Sequence, residues 1–510
     1  MRSKKYFYNI ITNIILQLFV IIYSIIFTRF IIYSFGSSVN GLVSSITQFL
    51  GYIALLQSGV GVVVKAALYK PLTDKINNKG RIEETLYASN RFFRKIAIIF
   101  IGYLLVLAIC YPLFVNTGYD YFYTFSLIII MSISTFFEYY FGITCALLLS
   151  ADQKDYIVST IQIIIYILNI LFIIIASKLH LSIHVIKLIT CIIFIIKPII
   201  QSIYINKNYD FDLKNCNKEY KLKNKWAGLS QHIALVIHNS TDVIILTFFS
   251  TLSYISVYNI YHLIVNGIKA FVRAITNGLD ALFGNIIANN EKDNLSFKFD
   301  KYENIYLIVC YTLFTTTLLL ILPFVDLYVG DITDINYRQP LFAVLIVYSE
   351  FIWSIRVPYE TLVYSSNKIK EVKKGGWIEA ALNVILSLIL VQKYNICGVM
   401  YATIVAMTYR TVELVLFSNK NIINRSSIIS FKKIIMVLIC SLLALFVNNL
   451  IPSIEITSII TFIIYGCAIF IINLILIILI NIIFYPKQMN YIFRYIRARF
   501  KSLNQKINNK

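Results

Sequence analysis

Long apolar runs recur along almost the whole chain and are separated by short segments that carry most of the charge. A membrane-spanning helix needs about 20 mainly apolar residues, so the pattern predicts an all-α polytopic membrane protein with about 14 spanning helices. We place them approximately at 10–33, 39–64, 96–116, 122–149, 157–177, 184–205, 229–249, 254–280, 304–328, 339–364, 377–393, 397–418, 434–450 and 457–485. The even count and the basic N-terminus predict that both termini are cytoplasmic.

Composition supports this interpretation and excludes a soluble enzyme. Hydrophobic residues make up 58% of the 510 residues and charged residues 14%, against roughly 45–50% and 25% in soluble domains. No soluble block is long enough for a separate catalytic domain, and no phosphate-binding GxxxxGK[ST] motif is present. The eight cysteines have no CxxC spacing and predict neither zinc nor disulfides. We therefore expect a non-enzyme without a cofactor.

The basic residues lie where a membrane orientation would place them. The net charge is +21, which in a soluble protein would suggest a nucleic-acid partner. In this chain, 36 of the 46 Lys and Arg residues fall in segments assigned to the cytoplasm and three in outer loops. This asymmetry reports orientation and contact with anionic lipids, and it requires no nucleic acid. The longest inner segments are predicted to be loops at 65–95 and 206–227.

A weak internal duplication links the two halves of the chain. The segment 151–154 is followed fifteen residues later by Asn169, and the segment 365–368 is followed at the same distance by Asn383. We predict two six-helix bundles related by a pseudo-two-fold axis along the membrane normal, around a central cavity. The predicted parts are an N-terminal lobe at 1–227 with helices 1–6, a C-terminal lobe at 228–420 with helices 7–12, helices 13–14 at 421–485, and a basic cytoplasmic tail at 486–510.

One polar stripe stands out in the eighth span. Six residues recur every three or four positions and therefore share one helix face: His262, Asn266, Lys269, Arg273, Asn277 and Asp280. One interpretation is a structural stripe satisfied by neighbouring helices. The favoured one is a cationic surface that lines a cavity, because two cations one turn apart repel each other unless an anion approaches them.

Other ionisable residues also lie within predicted spans, where they normally face a wet cavity or a partner. The cations are Arg29, Lys187, Lys197, Arg356 and Arg410, and the acids include Glu138, Asp242 and Glu350. Arg356 with Glu360, and Arg410 with Glu413, have the i, i+4 and i, i+3 spacings of helical ion pairs. For these two arginines a structural ion pair is favoured over a substrate contact.

Three segments of the chain are typical of one group of membrane transporters. They are VNGLVSSITQFLGYIALLQSGVGVVVKAALYKP at 39–71, NSTDVIIL at 239–246 and VYNIYHLIVNGIKAFVRAITNGLDALFGNIIANNE at 257–291. With these segments and the predicted topology, the chain resembles the Wzx-like polysaccharide-unit flippases of the multidrug/oligosaccharidyl-lipid/polysaccharide exporter superfamily. The resemblance implies alternating-access transport of a lipid-linked oligosaccharide, typically on undecaprenyl pyrophosphate, to the outer leaflet of a bacterial cytoplasmic membrane. Implied partners are this substrate, membrane lipids, a polysaccharide polymerase and other assembly proteins.

The residues expected to act on such a substrate combine the stripe with the intramembrane charges. The resemblance points to Arg29, Lys269 and Arg273 as phosphate contacts, and Asn266, Lys197, Arg356 and Arg410 are added from their placement. Asp242, Glu138 and Glu350 are candidates for coupling to Na⁺ or H⁺. Two alternatives remain open, a multidrug/cation antiporter of the same superfamily and a lipid-linked peptidoglycan-precursor flippase. A membrane polymerase is disfavoured because no sizeable outer loop is predicted.

Overall fold

The chain folds into helices whose lengths suit a membrane. The computed structural model describes residues 2–57, 59–213, 216–220, 222, 241–276, 279–289, 292–450, 456, 458–491 and 494. Among these residues the regular elements are helical, and ten helices are long and apolar enough to cross a bilayer. The prediction of an all-helical, multi-pass membrane protein is therefore confirmed, while the total of fourteen spans stays a prediction.

The chain divides into two compact units, Met1–Asn259 and Ile260–Lys510. The proposed lobe boundaries at 227 and 420 stay a prediction.

Among the described residues before 210, the first unit contains eight α-helices. They are α1 (Arg2–Gly51), α2 (Ala54–Gln57), α3 (Val60–Tyr69), α4 (Lys79–Phe114), α5 (Tyr121–Phe137), α6 (Ile143–Ala151), α7 (Asp155–Leu179) and α8 (Ile183–Asn208). A π-helix at Glu138–Gly142 joins α5 to α6. Residues 241–249 are also helical.

The next helix, α9 (Leu252–Thr276), contains the boundary between the units. The second unit continues with α10 (Leu279–Ala288), α11 (Lys292–Val329), α12 (Pro340–Ser365), α13 (Lys373–Ser418), α14 (Ser427–Leu450) and α15 (Ile459–Phe484). A π-helix at Asn419–Ile423 follows α13.

Two helices are too long for a single pass. Helix α1 has 50 residues and α13 has 46, and at 1.5 Å per residue each would span about 70 Å, more than twice the hydrocarbon core. Each is broken midway by a residue with non-helical backbone, Gly36 in α1 (φ 84°) and Asn395 in α13 (φ 51°). The break lies where the sequence predicts a short outer loop between two spans.

The two segments that suggested an internal duplication adopt the same turn. Gln153 and Asn367 both have left-handed backbone, with φ of 58° and 56°. In 152–154 and in 366–368, three consecutive N–H groups donate to carbonyls of the preceding helix at 2.8–3.1 Å. Equivalent sequence positions therefore end their helices by the same hydrogen-bond pattern, since a left-handed residue caps the last carbonyls.

The predicted inner loop at 65–95 is wrong. Helix α3 continues to Tyr69 and α4 begins at Lys79, so most of this segment is helical. The apolar-run criterion missed the first turns of α4 because they are charged, although Ile82, Leu86 and Phe93 repeat at helical spacing and are buried.

Helix α1 continues beyond its break into closely packed polar contacts in the first unit. Its Asn40 Nδ2 donates to Ser256 Oγ at 2.7 Å, and Ser45 Oγ lies 2.7 Å from Thr247 Oγ1. A Cβ atom added to Gly41 would overlap the Leu252 carbonyl group. Only glycine allows the two backbones to approach this closely.

Candidate functional site: a cation–carboxylate–tryptophan cluster

The stripe predicted on the eighth span meets α12 through its central cation. The Lys269 ammonium lies 2.7 Å from Glu350 Oε2, and both side chains are about nine-tenths buried. Three residues after Glu350, Trp353 presents its ring to the same ammonium at 4.6 Å from the centroid. The Arg273 guanidinium lies over the same ring, also at 4.6 Å. We call Lys269, Arg273, Glu350 and Trp353 the tryptophan cluster.

Both cations of the stripe have attractive partners within the protein, which the sequence alone does not predict. From the sequence alone, the repulsion between Lys269 and Arg273 requires a visiting anion. In the structure Glu350 supplies one negative charge, and the face of Trp353 attracts both cations. The cluster keeps a net charge of about +1 when all three ionisable groups are charged. It is thus stable without a ligand and still electropositive toward an anion.

The rest of the stripe is polar but only partly described. Asn266 is exposed, and its Nδ2 lies 3.0 Å from Nδ1 of His262, one turn away. Asn277 lies outside the described residues, as does the side chain of Asp280. The described part therefore places His262, Asn266, Lys269 and Arg273 along one helix as predicted, with the charge concentrated at the last two.

The second pair of predicted cations, Arg356 and Arg410, belongs to a different network in the second unit. Arg356 contacts Glu360 at 3.0 Å and Glu379 at 2.5 Å. Arg410 contacts Glu413 at 2.6 Å and also approaches Glu379, at 3.7 Å. The two helical ion pairs predicted from spacing are present, and Glu379 joins them. Three acids surround two arginines, which favours a structural role over an anion-binding one.

In the first unit, the candidate charges also have partners. Lys197 Nζ lies 2.8 Å from Glu138 Oε1 of the π-helix, and Asp242 accepts a hydrogen bond from Tyr258 at 3.1 Å. Arg29 lies in the first half of α1 and is half-buried. Sequence reasoning did not select Lys187, whose buried ammonium lies 4.3 Å above the Phe27 ring.

Sequence reasoning missed a buried charge cluster at one end of the second unit. Lys433 contacts Asp300 at 2.7 Å and Glu303 at 2.8 Å. Arg425 contacts the same two acids at 2.9 and 2.8 Å. The side chain of Glu303 is fully buried and that of Lys433 is 1% exposed. With two cations and two anions the cluster is balanced, and it joins α11 to α14.

A smaller charged cluster lies among the segments that connect helices in the first unit. Asp152 accepts hydrogen bonds from Tyr209 at 2.5 Å and from Lys75 at 3.0 Å, and the Lys154 ammonium lies 3.1 Å away. Burial alone would raise the pKa of the Asp152 carboxyl. The hydrogen bond from Tyr209 and the two ammonium groups outweigh burial, so the pKa of Asp152 lies below its ordinary value. Burial, together with the Asp152 carboxylate, raises the pKa of Tyr209.

An apolar groove of about 540 Å³ in the second unit is lined in part by α9, the helix that carries the stripe. Ile264 and Ile268 of α9 form one wall, Leu313 and Phe324 of α11 contribute a second, and Phe462 of α15 a third. Ile268 directly precedes Lys269 along the chain. A single helix therefore contributes to the apolar groove and to the tryptophan cluster.

The fold is similar to those of solved membrane transporters and flippases. The inward closed conformation of the lipid II flippase MurJ is similar, with a TM-score of 0.66 and 16% identity over 94% of this chain and 99% of that one. An inward-facing multidrug resistance MATE family transporter has a TM-score of 0.58 at 12% identity, covering 79% and 94%.

A third similar structure is that of the MATE multidrug transporter DinF-BH. Its TM-score is 0.55 at 15% identity, covering 80% of this chain and 93% of that one. No family model and no curated protein sequence matches the chain. The neighbours are transporters and flippases rather than enzymes, and they leave the substrate undetermined.

Proposed function

We propose that this protein is a flippase that moves a lipid-linked oligosaccharide, carried on a polyprenyl diphosphate, from the cytoplasmic to the outer leaflet by alternating access. The product would supply surface polysaccharide biosynthesis in the cytoplasmic membrane of a bacterium. The observation that carries the proposal is the position of α9, which contributes cations to the tryptophan cluster and apolar side chains to the neighbouring groove.

The tryptophan cluster suits a diphosphate. Arg273 is exposed, and its guanidinium is held over Trp353 with no carboxylate in ion-pair distance among the described residues. A guanidinium can donate two parallel hydrogen bonds to phosphate oxygens, and such charge-assisted bonds replace part of the water that an anion loses in a membrane. Lys269 can also contact the diphosphate when Glu350 moves away from it. The ion pair with Glu350 therefore controls whether Lys269 is available to the substrate.

The apolar groove suits the lipid tail. Its lining is formed mainly by aliphatic and aromatic side chains, and burying a hydrocarbon chain there contributes about 0.8 kcal/mol per CH₂ group. A small cationic drug would not require a groove of this kind next to cations. This combination supports a lipid-linked anion over the multidrug/cation antiporter alternative.

The membrane potential supplies a direction. With the inside negative, an anion gains about 2.3 kcal/mol per charge per 100 mV when it moves outward. Coupling to Na⁺ or H⁺ through Asp242, Glu138 or Glu350 stays a prediction. Each of these acids contacts a cation or a hydroxyl donor, so an ion would have to compete with that partner.

A peptidoglycan-precursor flippase is the second candidate, and one observation favours it. The similar MurJ structure is that of a lipid II flippase, and the similarity covers 94% of this chain. A lipid-linked muropeptide presents the same diphosphate and polyprenyl chain, so the tryptophan cluster and groove would serve either substrate. Only the sugar-bearing part differs between them.

A complementation experiment tests the proposed function. In a strain that lacks this protein, the wild-type gene should restore surface polysaccharide, and Arg273→Gln should leave lipid-linked oligosaccharide accumulating on the cytoplasmic side. Lys393→Gln is a matched control, because Lys393 is also exposed and lies 5.3 Å from the Tyr394 ring but belongs to neither site. Normal polysaccharide with Arg273→Gln at wild-type protein levels would sink the proposal. Restored cell-wall synthesis in place of polysaccharide would favour the second candidate.

A further inference from the structure

A separate cationic groove lies against α4 in the first unit. It has a volume of about 590 Å³, and its lining includes Tyr87, Arg91, Arg94, Lys95, Leu213 and Lys218. The two intramembrane cations of this unit described above, Lys187 and Lys197, lie on α8. Neither of them lines this groove. We call it the α4 groove. It belongs to none of the sites assigned above.

Its two walls are fixed by the fold. One wall is the α4 face on which Tyr87, Arg91 and Arg94 recur at intervals of four and three residues. The other is the chain after α8, which is tied to α4 at two points. The Asp212 N–H donates to Glu83 Oε1 at 2.8 Å, and Lys79 Nζ lies 2.7 Å from Asp210. The groove is therefore a built concavity rather than a row of surface lysines.

Within the part of the chain that the structure describes, no carboxylate forms an ion pair with the cations of the α4 groove. These cations are Arg91, Arg94, Lys95 and Lys218. The nearby acids Glu83 and Asp210 are occupied in holding the second wall. The Arg94 guanidinium is held 4.9 Å from the centroid of the Tyr140 ring. Stacking on a ring fixes a guanidinium in position but leaves its N–H donors available for an anion.

The same helix face continues directly into an apolar surface. Ile98 lines the groove and is 63% exposed, and Leu105, two turns further along α4, is 49% exposed. Exposed aliphatic side chains on a membrane-spanning helix contact acyl chains. An occupant of the α4 groove would therefore have its charged end among the cations and a hydrocarbon chain along Ile98 and Leu105.

We propose that the α4 groove binds the phosphate headgroup of an anionic membrane phospholipid, with an acyl chain along the exposed face of α4. Phosphate oxygens accept charge-assisted hydrogen bonds from Arg91 and Arg94, and Lys95 and Lys218 add positive potential. The site would make the stability of the first unit depend on anionic lipid. The inference does not depend on the proposed function, since a transporter of any substrate would carry it.

Native mass spectrometry of the purified full-length protein in mild detergent tests this assignment. The probes are phosphatidylglycerol, phosphatidylcholine and inorganic phosphate, each titrated separately. Wild-type protein should retain phosphatidylglycerol in preference to phosphatidylcholine. The variant with Arg91, Arg94 and Lys95 all changed to Gln should lose that preference, with affinity for phosphatidylglycerol falling on the order of 100-fold.

The matched control changes Lys370, Lys373 and Lys374 to Gln, which removes the same charge from exposed positions on either side of the start of α13. It should keep affinity for phosphatidylglycerol within about twofold, since general surface charge contributes little to a defined site. An equal loss in the control would overturn the proposal. So would equal binding of phosphatidylcholine, or binding of inorganic phosphate as tight as that of the lipid.

A conservative variant keeps the test decisive if the triple variant folds poorly. Arg94→Lys retains the charge but loses the flat guanidinium that stacks on Tyr140. We expect at least a fivefold loss of affinity for phosphatidylglycerol with unchanged thermal unfolding in lipid-free detergent. Unchanged affinity would contradict the specific groove.

Discussion

Variants of the ion pair between Lys269 and Glu350 can distinguish a role in protein stability from a role in substrate transport. Consider the variants Lys269→Met and Glu350→Gln, alone and combined. Glu350→Gln leaves an ammonium that is about nine-tenths buried without its carboxylate partner at 2.7 Å. Breaking a buried pair from one side costs about 3–5 kcal/mol. Trp353 at 4.6 Å offsets about 1–2 kcal/mol of this, so the free energy of unfolding should fall by about 1–4 kcal/mol.

The double variant distinguishes two roles for Lys269. Replacing both members of a buried pair by neutral groups of similar volume is often nearly neutral for stability, so the double variant should unfold close to the wild-type temperature. If Lys269 also contacts the substrate diphosphate, translocation in proteoliposomes should remain strongly reduced. The assays are thermal unfolding in detergent and outward exposure of a labelled lipid-linked oligosaccharide. Recovery of both stability and translocation in the double variant would refute a substrate contact by Lys269.

Three further predictions concern the scaffold. Glu303→Gln should lower the free energy of unfolding by about 3–5 kcal/mol, measured by thermal unfolding, because it leaves two buried cations with only one of the two acids that they share. The pKa of Asp152 is lowered in the folded state, so its contribution to stability is present above the ordinary value of about 3.9 and is lost as the pH falls below it. In the Asp152→Asn variant, the unfolding temperature should therefore depend less on pH in the acidic range than it does in the wild type. Gly41→Ala should lower the unfolding temperature because the new Cβ would overlap the Leu252 carbonyl group, whereas Gly51→Ala meets nothing within 4 Å and should change stability little.

The stripe on α9 illustrates what the sequence could predict and what it could not. The spacing of Asn266, Lys269 and Arg273 placed them on one helix face before any tertiary contact was known. The ion-pair partner of Lys269 could not be deduced from the sequence. Glu350 lies on another helix, and other intramembrane acids could equally have been the partner. Trp353 carried a local signal, since it follows Glu350 by three residues and must share its face.

The buried cluster around Glu303 was missed for a physical reason. Asp300, Arg425 and Lys433 lie at the ends of apolar runs, where charged side chains are usually solvated, and sequence counting assigned both cations to cytoplasmic loops. In the structure Glu303 and Lys433 are almost completely buried. Their burial depends on contact between the N-terminal parts of α11 and α14, a tertiary contact that periodicity within either helix does not encode.

The break in α1 shows the reverse case. Gly36 lies in a predicted outer loop, but no role was predicted for it from the sequence. In the structure, its φ of 84° turns the chain between two apolar segments. A left-handed residue is favourable for glycine and costly for most other residues. The lengths of the apolar runs thus predicted a loop near residues 34–38, whereas the residue that makes the turn, Gly36, became evident only from its backbone conformation.

The central claim is that the cargo is a lipid-linked anion. The most direct measurement is transport by the purified protein in proteoliposomes with an inside-negative potential, comparing a fluorescent polyprenyl-diphosphate oligosaccharide with a fluorescent organic cation. The account predicts that the diphosphate-linked lipid becomes exposed on the outer leaflet, faster at larger potential, and that the cation does not compete. Transport of the organic cation without movement of the lipid would contradict it.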